Sequence, residues 1–477
     1  MLDYQNYINE LFEDTVDSFS VMNPHTREKI GELPTCNEEQ MKQAIEKADQ
    51  AFKQTKSMTS HERSEILDRA SEIIAENKTL FAETMAKESA KPLKFVEAEV
   101  DRTVETFKFS AIEARKLEGE TIRLDAAPNG EGRDAYTIYQ PVGVIGAITP
   151  FNFPINLVSH KVGPAIGTGN TIIVKPAKKT PLSSFLLREA VIQAGFPEDG
   201  FQVITGDGST LGKVLLESEA VKKITFTGSP EVGKKLKEDA GLKKMTLELG
   251  NNSAVYVDTT QKDRVEDIAG KAVVGAYAFN GQVCISTQRI YVHEDIAESF
   301  VEEFKKQTVN LKYGDPLDKE TDVSALIDEE SQMRILDWLK EAEEQGAKIV
   351  TGGKKHEYGI EPTVVVDVPK EAKILSEEVF GPVVIINTVK NGEQALMEMN
   401  DTKYGLSAGI FTQNLSQAIT FGHELDVGQV LVNDLPTLRF DHMPYGGRND
   451  SGYGFEGVKY AMKGMVNRKF ISLNYTF

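Results

Sequence analysis

Apolar residues recur at helical spacing over two stretches near the start of the chain, residues 37–52 and 60–117, with Ala, Glu and Lys between them. That 3.6-residue period predicts amphipathic helices. Residues 125–133 hold the Pro, Asn and Gly of turns and lead into the strand-like run 135–139, which predicts a hairpin standing off the main body. From Pro141 the pattern changes. Short apolar runs at 142–148, 171–174, 201–205 and 224–227 are separated by helical stretches long enough to cross between parallel strands. A second series begins near Asn251. It predicts helices over 265–279, 296–311 and 331–345, and strands over 289–292, 363–368, 383–389 and 430–432. The fold class expected is α/β, with two doubly wound units in tandem. The final run, residues 469–477, reads as a strand with nothing after it, and an apolar strand in that position needs a partner such as a neighbouring subunit.

A chain of 477 residues is long enough for two or three such units. With 40% hydrophobic and 27% charged residues, the low-hydrophobicity, high-charge signature of disorder is absent. A net charge of −19 argues against nucleic acid, whose recognition needs basic stripes. The first residues lack the basic and then apolar regions of a secretory leader, and no apolar run reaches the roughly 18 residues of a membrane span. Two cysteines, Cys36 and Cys284, in so long a chain suit a reducing compartment. A cytoplasmic protein without a membrane segment is expected. No repeat of solenoid or propeller period occurs.

Several segments can carry chemistry. Gly206-Asp-Gly-Ser-Thr-Leu-Gly212, which includes Gly208, follows a strand and opens a helix, but is one residue too long for the dinucleotide fingerprint. Alone it reads equally as a plain strand-to-helix turn. In Ile224-Thr-Phe-Thr-Gly-Ser-Pro-Glu-Val-Gly233 the strand ends at Gly228 and Ser229, and Pro230 stands at a first helical position. Free N–H groups of such a first turn can hold a phosphate. Cys284 lies on a turn after a helix ended by Gly281, either as an exposed nucleophile or as a small buried hydrophobe. Glu248 sits between leucines, where apolar surroundings raise a carboxyl into the range of a general base; its other reading is an edge glutamate facing solvent. Asn152, in Thr149-Pro-Phe-Asn-Phe-Pro154, offers an amide on a rigid turn, as oxyanion donor or as a turn residue bonded to its own backbone. No H-E-x-x-H, paired C-x-x-C or EF-hand loop occurs, so no metal is expected.

Taken together these segments resemble the aldehyde dehydrogenase superfamily. The motifs run in order over nearly the whole chain: Thr149 to Pro154, Lys175-Pro-Ala177, Phe226-Thr-Gly-Ser229, Glu248-Leu-Gly250, Gly281-Gln-Val-Cys284, Glu378-Val-Phe-Gly-Pro382 and Pro444-Tyr-Gly-Gly447. The resemblance implies Cys284 as nucleophile, Asn152 as oxyanion donor and Glu248 as base for thioester hydrolysis. It also implies a Rossmann variant without the usual glycine fingerprint. Lys175 and Pro176 would then sit at the adenosine ribose, with Lys178 and Gly208 nearby. Thr149, Pro150 and Phe151 would form one wall of the cofactor site, and Phe226, Thr227, Gly228, Ser229 and Val232 would seat the pyrophosphate. Leu249, Gly250, Glu378 and Phe380 would hold the nicotinamide half. Residues 1–120 and 141–250 are expected to form the dinucleotide-binding domain, 251–457 the catalytic domain, and 121–140 with 458–477 an oligomerisation element of a homodimer or homotetramer.

Relatives that prefer NAD often carry a glutamate where this chain has Lys178, followed by Lys179; losing the acid and adding positive charge favours NADP while allowing NAD. Around Arg439 to Gly447 the sequence is most similar to the branch that oxidises lactaldehyde and small anionic aldehydes. Arg102, Arg439 and His442 are candidate substrate groups. The alternative is a succinate-semialdehyde or other acidic-aldehyde dehydrogenase; a non-catalytic protein on the same scaffold is disfavoured because Cys284, Asn152 and Glu248 are all present. Departures from the family pattern occur at Asn251 and at Arg448-Asn449.

Overall fold

The computed structural model describes residues 5–12 and 17–475; Met1–Tyr4, and the end of the expected terminal strand at Thr476 and Phe477, lie outside the described residues. Two open sheets organise the chain. The first has the order Gly452–Tyr453, Lys244–Glu248, Val221–Thr227, Val144–Ile148, Thr171–Lys175, Phe201–Val203, parallel except for the two-residue strand at its edge. From Val144–Ile148 the chain steps outward twice on one side, then crosses to Val221–Thr227 on the other. A parallel sheet opens a ligand crevice at such a reversal, beyond the carboxyl ends of the two strands. Here those ends are Thr149-Pro150 and Gly228-Ser229.

The second sheet has the order Lys348–Thr351, Thr363–Val366, Val383–Val389, Arg289–His293, Ala254–Val257, Ser407–Phe411, Gln429–Val432, with only the first strand antiparallel to its neighbour. Val, Ile and Phe of both sheets pack beneath their covering helices, and the strand centres are buried on both faces. The α/β class and two-sheet organisation are therefore as the periodicity implied.

Three local differences have physical causes. The helical stretch 60–117 is three helices, Ser60–Glu76, Lys78–Ser89 and Leu93–Ala114. It breaks at Asn77 (φ −102°, ψ 20°) and again where left-handed Ala90 (φ 56°) precedes Lys91-Pro92, because a proline displaces the residue before it from helical geometry. The segment before residue 37 contains an antiparallel pair, Ser18–Met22 with Lys29–Pro34. The terminal strand, Val466–Asn474, pairs along its whole length with Arg133–Pro141 of the same chain, so one of its edges is satisfied without a second subunit.

The helix Asn156–Gly167 positions much of the site. All twelve of its residues are buried, including His160 and Lys161, which a helix can tolerate only if those polar groups find partners.

Candidate active site

A cavity of about 480 Å³ lies in the crevice, between the carboxyl ends of the first sheet and loops of the second. Thr149, Pro150, Phe151 and Asn152 form one wall. Phe226 to Ser229, Val232, Leu249 and Gly250 form the floor, and Cys284, Arg334, Glu378 and Phe380 close the far side. The rings of Phe151 and Phe380 meet edge-on across it, 5.7 Å apart. Ser229 caps the helix Pro230–Asp239 by accepting from the Val232 N–H, which aims that helix's first turn at the cavity. A Cβ on Gly250 would come within 2.7 Å of Glu378 Oε2, so a larger residue there would displace that carboxyl. Burial pushes the Glu378 carboxyl up to about 7, against the Asn251 N–H it accepts at 2.9 Å and nearby Arg334. Thr149 Oγ1 is buried without a partner. An elongated crevice with a helix N-terminus, an orphaned hydroxyl and an acid at its far end fits a dinucleotide.

Lys175, Pro176, Lys178 and Gly208 stand outside this cavity, at the end of the neighbouring strand Thr171–Lys175. Lys175 is buried and donates to the Pro176 carbonyl at 3.2 Å; a Cβ on Gly208 would be 3.6 Å from its Nζ. Gly208 begins a helix capped by Asp207. Lys178 is exposed, with Nζ 5.0 Å from the centre of the Phe19 ring, whereas Lys179 is tied to Asp328. Among the described residues Lys178 has no carboxylate partner.

Cys284 follows an unusual turn. Phe279 (φ 48°), Asn280 (φ 56°) and Gly281 (φ 69°) are all left-handed, and the turn is pinned from outside: Asn280 donates to Ala325 O and accepts from Ser324 N–H, while Gln282 Oε1 accepts from Ile327 N–H. A Cβ on Gly281 would lie 2.1 Å from the carbonyl oxygen of Gly381. Left-handed backbone costs a non-glycine residue about 1–2 kcal/mol, so this shape is held by its surroundings. Cys284 Sγ lies 3.3 Å from the Tyr445 hydroxyl. Burial pushes the thiol up to about 11, against the Tyr445 hydrogen bond and the positive Arg439.

The Asn152 amide donates to Gln282 O at 3.1 Å, two residues before the cysteine. Its loop is fixed from below, where buried Lys91 donates to Asn152 O at 3.3 Å and pairs with Glu99 at 2.6 Å. Glu99 in turn accepts from the N–H groups of Ile155 and Asn156 at the start of the buried helix. The Cys284 N–H has no acceptor among the described residues, so it and the Asn152 amide are two donors beside one sulfur.

Glu248, 3% exposed, has no hydrogen-bond partner on either carboxylate oxygen. Burial and the neighbouring Glu456 push it well above the usual carboxylate range, with Arg439 and Lys161 opposing. Burial would raise Glu456 too, but Lys161 at 2.5 Å and Arg439 at 3.0 Å hold it below that range. Two buried carboxyls are driven apart in proton affinity, Glu456 held toward its charged form and Glu248 made the stronger base, which is how neighbouring acids acquire different roles.

Of the expected substrate groups, only Arg439 reaches this cluster. Its guanidinium lies 3.7 Å over the Tyr445 ring, and its Nε is buried without an acceptor. Arg102 is engaged by Asp441 at 2.7 Å, which also meets His160 at 2.8 Å, and His442 is exposed against Phe109. None of the three lines the cavity; Arg439 stands behind the Tyr445 ring, paired with Glu456. The family departures are structural: Asn251 bonds Glu378 and Ser253, while Arg448 and Asn449 both engage Asp426 on the surface. Lys161, Glu456 and Tyr445 received no role from the sequence. A signal existed for Lys161, a lysine inside an otherwise apolar helix.

A Rossmann-like sheet whose crevice opens onto a cysteine marks the class of dinucleotide-dependent dehydrogenases. The chain belongs to the aldehyde dehydrogenase family, whose model matches residues 12–471, and it is an NAD(P)-dependent aldehyde dehydrogenase. It is 41% identical to a 3-sulfolactaldehyde dehydrogenase of Priestia aryabhattai over 473 residues, 99% of this chain and 98% of that protein. It is 37% identical to a lactaldehyde dehydrogenase of Methanococcus maripaludis, covering 96% and 97%. Among solved structures it resembles aldehyde dehydrogenase 21 from Physcomitrella patens in complex with succinate, with TM-score 0.94 and 36% identity over 97% of this chain and 96% of that one. It also resembles an NADP-dependent glyceraldehyde-3-phosphate dehydrogenase from Bacillus halodurans complexed with NADP, with TM-score 0.93, 34% identity and the same coverage.

Proposed function

We propose that the protein oxidises a small hydroxylated or anionic aldehyde of the lactaldehyde type to its acid, with water as acyl acceptor and NADP favoured over NAD. The observation that carries the anionic part is Arg439, a buried cation separated from Cys284 only by the Tyr445 ring and still holding one unused donor. The names of the sulfolactaldehyde and lactaldehyde relatives support the same class.

In this reading the Cys284 thiol gives its proton to solvent water, the thiolate attacks the aldehyde carbon, and the oxyanion rests between the Asn152 amide and the Cys284 N–H. The dinucleotide, when bound, would supply the hydride acceptor for that carbon. Glu248 then accepts a proton from water as its oxygen attacks the thioester; the C–S bond breaks, the acid leaves and the thiolate is restored. Thr149 to Phe151, the turn at Gly228, and Glu378 with Phe380 would hold the cofactor, with Lys175 and Lys178 at its ribose end. The carboxylate at position 248 supports hydrolysis over transfer to a thiol acceptor.

Succinate semialdehyde is the second reading, favoured by the succinate complex of the plant relative. We assign residues 1–120 and 141–250 to cofactor binding and 251–457 to catalysis, in a cytoplasmic homodimer or homotetramer built through 121–140 and 458–477. The half-exposed Phe470 and Leu473 on the terminal strand support that assembly. No helix among the described residues is long and apolar enough to cross a membrane.

The test is reduced-cofactor absorbance with NAD and NADP over lactaldehyde, sulfolactaldehyde, glyceraldehyde 3-phosphate, phosphonoacetaldehyde, succinate semialdehyde and an unsubstituted aldehyde, with Cys284→Ala as control. Turnover that depends on Cys284 and falls for anionic members in Arg439→Met supports the reading. Preference for the unsubstituted aldehyde refutes it.

A further inference from the structure

The two strands that end at Glu248 and Thr227 break a rule of parallel sheets. Strands covered on both faces read as continuous apolar runs, yet Lys223-Ile-Thr-Phe-Thr227 and Lys244-Met-Thr-Leu-Glu248 alternate polar with apolar. Because Lys223 pairs with Lys244 and Thr227 with Glu248, the polar members share one face. They form a row. At one end Lys161 donates to Thr227 Oγ1 at 2.8 Å and pairs with Glu456; further along, Lys223 donates to Thr246 Oγ1 at 2.7 Å.

The far end of the row opens into a second cavity, of about 580 Å³, lined by Lys223, Lys237, Lys243, Lys244 and Lys463 and by no carboxylate. None of these five lysines has a carboxylate partner among the described residues. Lys243 donates to the carbonyls of Ser218 and Val221, Lys244 to that of Val466, and Lys237 lies 3.8 Å over the Tyr453 ring. Burial pushes the Lys223 ammonium down to about 7, assisted by Lys244 and Lys161 and opposed by Glu456. In a chain with net charge −19, such a concentration of lysines without carboxylate partners, exposed Lys237 and Lys463 among them, is a local deficit of negative charge. Tyr453 and Phe455, both about half exposed, stand at the mouth.

The same segment ties the cavity to catalysis. Tyr453 pairs with Leu247, Gly452 pairs with Glu248, and Phe455 directly precedes Glu456. We propose that this lysine cavity is an effector site for a small phosphate-bearing anion, separate from the cofactor crevice, and that its occupancy changes turnover through the segment carrying Glu456. The phosphate meets the lysines, and an aromatic ring, where the ligand has one, stacks on Tyr453 or Phe455.

The experiment is calorimetric titration of cofactor-saturated enzyme, so that the crevice is filled, with inorganic pyrophosphate and with adenosine 5′-monophosphate. It is repeated on the double variant Lys237→Ala, Lys463→Ala, in which both replaced side chains are exposed, and kcat is measured with and without each anion. Binding that the double variant weakens at least about tenfold, together with an anion-dependent kcat lost in the same variant, is the expected result. Tighter binding of the nucleotide assigns a ring-bearing ester; equal or weaker binding assigns phosphate alone. No binding of either anion at millimolar concentration, or binding that the variant leaves unchanged, overturns the site. Binding without any change in kcat overturns its link to Glu248.

Discussion

Replacing Asn152 by alanine separates two quantities that the structure keeps apart. In the resting protein the amide makes one hydrogen bond, to Gln282 O, while its Oδ1 has no partner. Removing the side chain strands one buried carbonyl, which by itself costs about 1–3 kcal/mol. It also removes an unsatisfied buried oxygen, so the net loss of stability should fall near the lower end, about 1 kcal/mol. Catalysis should suffer more. An oxyanion donor is worth about 2.7–4 kcal/mol of transition-state stabilisation, so kcat should fall roughly 100- to 1,000-fold. Thermal denaturation measures the first quantity, and steady-state turnover on the best substrate of the panel measures the second. A variant that denatures within a few degrees of the parent yet has lost two to three orders of magnitude in kcat satisfies the argument. A loss below about fivefold would refute it, because the Cys284 N–H would then be stabilising the oxyanion alone.

Glu248→Gln should leave hydride transfer intact and slow thioester hydrolysis about 100- to 10,000-fold, giving a burst of one reduced cofactor per site followed by a slow phase; unchanged steady-state turnover would remove the base role. Because burial raises the Cys284 thiol to about 11, the protonated form dominates at neutral pH. Alkylation of cofactor-free enzyme should therefore accelerate about tenfold per pH unit from pH 7 to 9 without levelling, and a plateau by pH 8 would contradict the burial argument. Lys178→Glu should lower the NADP-to-NAD ratio of kcat/KM by roughly 10- to 100-fold, the worth of about 1.5–3 kcal/mol for a hydrogen bond to a charged group; an insensitive ratio places the 2′-phosphate elsewhere.

The parallel strands were legible because four short Val- and Ile-rich runs sit at crossover spacing, and the crevice follows from their order. Glu248, Asn152 and Cys284 were visible only through neighbouring motifs, since each type has a commoner structural use. The helix breaks at Asn77 and Ala90 illustrate two cases: Lys91-Pro92 announces one, while nothing in Glu76-Asn77-Lys78 announces the other. The strand Ser407–Phe411 was hidden by its small residues, and the hairpin Ser18–Pro34 by the charged sequence around it. The ion cluster of Lys161, Glu456 and Arg439 joins residues as far as 295 positions apart, so no local pattern reveals it. Its traces are lysines where a buried helix and buried strands should be apolar. Arg102 and His442, candidates for an anion or hydroxyl site, meet Asp441 and Phe109 instead.

The contact between Gly281 and Gly381 makes the nucleophile turn and the Phe380 loop a single mechanical part. Neither can slide by the width of a methyl group without displacing the other, so a change that shifts the Phe380 loop also shifts the Cys284 turn. For anyone diversifying this enzyme by selection, position 281 is closed to every residue larger than glycine. New substrates would have to be sought elsewhere than along this seam between the Cys284 turn and the Phe380 loop.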